Sequence, residues 1–261
     1  MPTPQDVLTA VKTGTPLQHA DLYQMDLSGS TLRAAQLEGA TLARANLRNA
    51  DLSQANLSHS DLRGANLERA QLPGANLEKA CLQRADLSGV DLRGANLTGV
   101  QLNGARYDSA TQFPDGFAYR TSGAIGPGAR LNGAPLNTAN LKGSELQGAS
   151  LLGAYLGGAN LTQANLSGAL LIQADLRQAT LTGALLREAA LNGADLAGVD
   201  LRAADLTGAT FEDLESIAGA DFTSVQGLDA ALRSRLLRYP PQQLETPHPQ
   251  TLKTTLESLT A

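Results

Sequence analysis

Apolar and polar positions alternate along this chain with a period of five rather than the 3.6 of a helix or the two of a plain strand. The stretch Ala45-Asn46-Leu47-Arg48-Asn49-Ala50-Asp51-Leu52-Ser53-Gln54 holds two copies of the unit, alanine–Asp/Asn–leucine–x–x. A central residue falls every five positions from Leu17 to Tyr107, and again from Leu131 to Phe211. Of these 36 centres 34 are leucine, and Tyr107 and Phe211 each close a block. In a helix, five residues turn through about 500°, so successive leucines would scatter over every face. In an extended segment, residues two apart share a face, so alanine and leucine point inward and the Asp/Asn between them points outward. The last two residues, often Ser-Gly, Arg-Gly or Thr-Gly, then supply a corner. A short side plus a corner, repeated, is a coil whose turns pair like neighbouring strands about 4.8 Å apart.

This unit resembles that of the pentapeptide-repeat proteins, over about 70% of the chain. The resemblance implies an all-β solenoid, a right-handed quadrilateral β-helix with four units per coil. The 36 units would then make about nine coils, stacked over roughly 43 Å in two blocks. Short helical caps are expected at both ends. Residues 1–14 carry Val7, Leu8 and Val11 on one helical side and stop at Gly14. Residues 15–110 form the first block, 111–128 an interrupting loop, 129–222 the second block, and 223–261 a helical tail. Helical spacing covers Leu228–Leu237, Pro240 and Pro241 end it, and a final helix is expected from Gln250 to Leu259. The loop and the tail resemble what cyanobacterial members of the family carry.

Composition fits a narrow interior of uniform width: 26 Gly, no Trp and four Phe. The lone Cys81 excludes an intrachain disulfide framework and suits a reducing compartment, so a cytoplasmic location is expected. The N-terminus lacks the basic and apolar regions of a signal peptide, and no apolar run approaches a membrane span.

The side chains that could carry chemistry do not assemble into a catalytic group. His19 and His59 are corner residues two coils apart, roughly 10 Å, too far to share a metal. Cys81 occupies an outward position with no histidine nearby in sequence. The recurrent glycines belong to corners, not to a phosphate loop, and the many Asp and Asn residues read as turn-bonding groups. Asn56, Asn76 and Asn96, each 20 residues apart, should stack as an amide ladder. No catalytic residue, metal site or cofactor is therefore expected.

The leading reading is a non-enzymatic scaffold that presents a surface to an unidentified protein partner, without direct nucleic-acid or membrane contact. Some family members mimic duplex DNA and protect type II topoisomerases (gyrase) from quinolones, which is the alternative. That role asks for a strongly acidic surface. Residues 15–110 carry ten acids against nine bases, and residues 129–211 six against five, so most of the surplus acid lies in the tail. A mixed field is a poor copy of a phosphate backbone.

Two outward features stand apart. Leu152 and Ile172 are 20 apart, Leu170 lies on the same side as Ile172, and Tyr155 sits around the corner. These four predict an apolar patch. Either the loop or the tail covers it, or it is a protein contact, and a homodimer could form through the patch or through the tail. In the loop, Phe113, Phe117 and Tyr119 either pack back on the coil or make a second contact.

Overall fold

A computed structural model describes residues 2–260, in two compact units, Met1–Gly126 and Pro127–Ala261. Through most of each unit, the residue before the centre pairs in parallel with the residue 20 positions on. One such column in the first unit is Asp21, Thr41, Asp61, Cys81 and Gln101. Four columns per 20 residues make each coil four-sided.

The pentad closes its own backbone bonding, which explains why a period of five is stable. In Ala45–Asn49, the Ala45 N–H donates to the Leu42 carbonyl (3.0 Å) and so makes the corner. Asn46 N–H donates back one coil to Met25 (2.9 Å). Leu47 and Asn49 N–H donate forward one coil to Asn66 (2.7 Å) and Glu68 (2.9 Å). That leaves the N–H of Arg48, and the Asn46 side-chain oxygen accepts it (3.3 Å). Without that side chain, this N–H would depend on water for a partner. The preference for Asp or Asn before the centre is therefore the fifth bond of the unit. The same bond recurs at Ser53–Asp51, Glu68–Asn66, Thr162–Asn160 and Thr223–Asp221.

The fifth residue of the unit adopts left-handed backbone, as at His59 (φ 58°) and Arg69 (φ 57°) as well as at many glycines. Side chains tolerate this region at a cost of about 1–2 kcal/mol each, which is why glycine is frequent there. The centres and the alanines fill the interior: Leu47, Leu52, Leu166, Leu171 and their neighbouring alanines are fully buried. Leu17 and Leu136, near the start of each array, are half-buried. The amide ladder forms as expected, Asn96 donating to Asn76 (3.0 Å) and Asn76 to Asn56 (3.2 Å).

Helix α1, Pro4–Thr13, precedes the first coil, begins with a Thr3–Asp6 capping box and ends at the left-handed Gly14 (φ 71°). The repeat slips once after Tyr107. Gln112 pairs with Asp91 at an interval of 21, and Ile125 with Arg106 at 19. The excursion between them is tied back by Asp108, which accepts from Gly89, Ala110 and Thr111 N–H, and by the Thr111 hydroxyl on the Leu87 carbonyl (2.8 Å). A 3-10 turn spans Tyr119–Thr121.

Coil pairing runs beyond Phe211. Ser216, Asp221 and Gln226 pair with Asp195, Asp200 and Asp205, each at an interval of 21, so one extra residue is absorbed after Phe211. Ile217 and Phe222 thereby keep the interior column filled. Three short helices follow: α2 (Ala230–Leu236), α3 (Pro241–Leu244) and α4 (Thr255–Thr260). Pro241 opens α3 instead of only ending α2. The last helix starts at Thr255, not at Gln250. Residues 247–254 form a tight turn in which His248 Nδ1 accepts from Gln250 and Thr251 N–H, and Leu252 turns left-handed (φ 60°). This tail supplies partners to the last coil. Gln243 accepts from Ile217 N–H (2.9 Å), Thr255 donates to the Ile217 carbonyl (3.0 Å) and Tyr239 to the Leu214 carbonyl (3.0 Å).

Candidate protein-interaction surface

Each side of a coil shows two outward positions, one before and one after the buried centre. On one side of the second unit the leading column is Arg130, Ser150, Leu170, Ala190 and Thr210. Backbone bonds from Gly133 to Leu152, Gly153 to Ile172, Gln173 to Asn192 and Gly193 to Glu212 set the trailing column as Asn132, Leu152, Ile172, Asn192 and Glu212. The middle of this side is apolar and both of its ends are polar. Leu152 is 37% exposed, Leu170 40% and Tyr155, on the next side, 53%, while Ile172 is half-buried. The tail of the same unit leaves them open to solvent.

Elsewhere several outward carboxylates are paired locally. A carboxylate before the centre and an arginine after it form two-point pairs: Asp61–Arg63 (2.6 Å), Asp91–Arg93 (2.7 Å), Asp175–Arg177 (2.7 Å) and Asp200–Arg202 (2.7 Å). The Arg93 and Arg63 side-chain bonds hold Asp91 and Asp61 below the usual carboxylate range. For Asp200, burial pushes upward, and the bonds from Arg202 and the Thr182 hydroxyl together outweigh it to leave a lowered value. Asp205 is held lowest, at about 2, by the Thr207 hydroxyl and backbone and by Arg187 at 2.5 Å.

These shifts predict acid sensitivity. A carboxyl whose folded pKa lies below its unfolded 3.8 stabilises the fold above that value and loses the contribution as pH falls toward the folded pKa. The melting temperature should therefore be flat above about pH 5 and fall between about pH 4 and 2. Asp205→Asn should shrink that fall, measured by melting across a pH series.

In the loop, Phe113 and Tyr119 are half-buried and stack face to face at 4.5 Å. Both meet the ring of Tyr107 edge-on, at 5.5 and 5.4 Å. Phe117 stacks on Phe113 at 5.8 Å. Tyr107 is 4% exposed, and burial pushes its hydroxyl up to about 12. Gly126 makes room for that ring, since a Cβ there would lie 2.6 Å from it. Sequence reasoning passed over this glycine because it lies outside the repeat.

Among the described residues, no three His, Cys, Asp or Glu side chains are placed to hold a metal. His19 and His59 are exposed corners, and Cys81 is half-buried with its sulfur 3.9 Å from the Gln101 side chain. A polar cavity of about 100 Å³ lies beside the tail, lined by Gln178, Thr180, Asp200, His248 and Gln250 among others. Among the described residues, no helix is long and apolar enough to cross a membrane.

The family model for pentapeptide repeats matches residues 13–106 and 139–213, well over half of the chain. The chain belongs to the pentapeptide-repeat family. Pentapeptide-repeat proteins are right-handed quadrilateral β-helices, generally with structural or binding roles, and the four-sided coils of both units are that architecture. Similar solved structures include a pentapeptide-repeat protein of Nostoc PCC 7120, at 32% identity (47% of this chain, 93% of that one, TM-score 0.35). HetL of Nostoc sp. PCC 7120, involved in heterocyst differentiation regulation, is 31% identical (84% and 97%, TM-score 0.27). QnrB1, a plasmid-mediated fluoroquinolone resistance protein, is 20% identical (81% and 96%, TM-score 0.33). No curated protein matches this pentapeptide-repeat chain.

Proposed function

We propose that this pentapeptide-repeat protein is a non-enzymatic scaffold whose second unit presents Leu152, Tyr155, Leu170 and Ile172 to a protein partner. The observation that carries this reading is the exposure of Leu152, Leu170 and Tyr155 on one stretch of the array; the other exposed large apolar side chains among the described residues are Tyr23 in the first unit and Leu252 and Leu256 in the tail. Apolar centres with polar margins are the usual anatomy of protein contacts. In the same reading α1 and the tail close the ends of the arrays, with residues 15–110 and 129–222 as the two presenting blocks. Phe113, Phe117 and Tyr119 anchor the interrupting loop on Tyr107, with the outer face of Phe117 left as a secondary contact. The single cysteine fits a reducing compartment such as the cytoplasm.

The topoisomerase-directed alternative is disfavoured by the Asp–Arg pairs. They place a guanidinium beside the carboxylates that would have to imitate phosphates. Affinity capture from the source organism tests the scaffold reading, comparing the native chain with a Leu152→Lys/Ile172→Glu double variant. The native chain should retain a protein that the folded variant loses by at least about tenfold. Equal retention by both removes the patch from the reading. Inhibition of gyrase supercoiling at micromolar protein would instead favour the alternative.

A further inference from the structure

The geometry points to a second copy of this chain as the occupant of the apolar side of the second unit, docked with its coils running antiparallel to the first. This rests on the interaction-surface reading above and names the partner.

The side carries opposite charges at its two ends. Arg130 leads the first of its five coils, and Glu212 trails the fifth. Both are exposed, and neither forms an ion pair among the described residues. Two identical flat sides can face each other only about a two-fold axis lying between them. If that axis runs along the stack, equal coils meet, Arg130 approaches Arg130, and Glu212 approaches Glu212. If it runs across the stack through the third coil, the first coil of one copy meets the fifth coil of the other. Arg130 of each copy then lies diagonal to Glu212 of the other, within the reach of a long side chain. The symmetry makes two such pairs, with Leu170 against its own counterpart and Ile172 against its own. Charge therefore selects the antiparallel arrangement and penalises the parallel one.

The contact is small. Five coils at about 4.8 Å and a side about 10 Å wide give a footprint of about 240 Å² per copy, well below the roughly 800 Å² per partner of a standard interface. Association is accordingly weak and concentration-dependent, and increased salt reduces it by screening the two end pairs.

Sedimentation velocity of the full chain from about 1 to about 200 µM tests this. A reversible dimer is expected at the upper concentrations. Leu170→Glu should weaken it by at least about tenfold while leaving the circular dichroism spectrum and melting unchanged, because residue 170 points outward. Arg130→Glu and Glu212→Arg should each weaken the dimer, and the two together should restore it. In a Cys81→Ser background, Leu170→Cys should be joined into a covalent dimer by a short bismaleimide, which spans the roughly 10 Å between facing sheets, since position 170 meets itself only in the antiparallel arrangement. A monomer at every concentration, or a dimer indifferent to Leu170→Glu, overturns the proposal. So does failure of the double charge reversal to rescue a dimer that both single reversals weaken. A monomer whose double variant still loses a captured protein overturns the second copy but leaves the scaffold standing. A monomer whose double variant captures everything the native chain does removes both.

Discussion

Replacing Leu77 by aspartate is expected to unfold the first unit. Leu77 is 1% exposed and stands in a column of leucines, with the fully buried Ala75 and Ala80 on either side. The interior is one side chain deep on each wall and offers no polar group to pair with a carboxylate. An ionised group there loses its hydration without compensation, and a protonated one still lacks a partner. A loss above about 4 kcal/mol follows, beyond what most point changes produce. Circular dichroism melting measures it. A melting temperature within a few degrees of the native chain would mean that the centres do not face inward. Leu77→Met, which keeps the volume, should cost under about 1.5 kcal/mol and serves as the control.

The second large effect is expected at Gly227. Gln226 pairs with Asp205, so Gly227 occupies the next centre position, against the backbone below it. A Cβ at this position would lie 2.3 Å from Thr207 N, 2.5 Å from its Cα and 2.8 Å from the Leu206 carbonyl carbon. These are backbone atoms and cannot swing aside. The φ of 76° adds strain for any side chain. Gly227→Ala should therefore detach the segment that leads into α2 and cost about 3 kcal/mol or more. Limited proteolysis would report it as new cleavage after residue 226, and the native pattern would count against the close approach. By contrast Gly64→Ala meets nothing nearer than an Arg44 side-chain carbon at 3.7 Å, so it should cost only its backbone strain.

The repeat was legible because it is a periodic constraint. One wrong residue in 36 units changes nothing in the inference, and the inward leucines, outward acids and corners follow from spacing alone. The fifth hydrogen bond of the pentad was legible in kind, as a turn bond from Asp or Asn, although not in which N–H it served. The patch was legible because Leu152 and Ile172 break the polar rule at positions 20 apart. What could not be read was whatever depends on one local contact. Nothing in the sequence marks Gly126 as the space for the Tyr107 ring, or Gly227 as the residue lying on Thr207. The start of α4 depends on His248 accepting two backbone N–H groups, which fixes the 247–254 turn and takes Gln250 out of the helix. The second block was carried to residue 222 past the one inserted residue, because Ala220-Asp221-Phe222 repeats the unit, and only the last pairing, Gln226 with Asp205, lay beyond it, where Gly227 replaces the expected leucine.

Four pentads complete a circuit, because pairing joins each residue to the one 20 further on. Removing 20 residues from either array is then a translation: every column survives, shorter by one coil. Removing five is a rotation by a quarter turn, and everything after the cut moves to the neighbouring side. A one-pentad deletion between Leu152 and Ile172 would leave the leucine core filled and the fold intact, yet the two residues would face different directions. Length changes in such a chain are therefore not equivalent. Multiples of four units alter its reach, and any other number rearranges what it displays while its stability stays nearly constant.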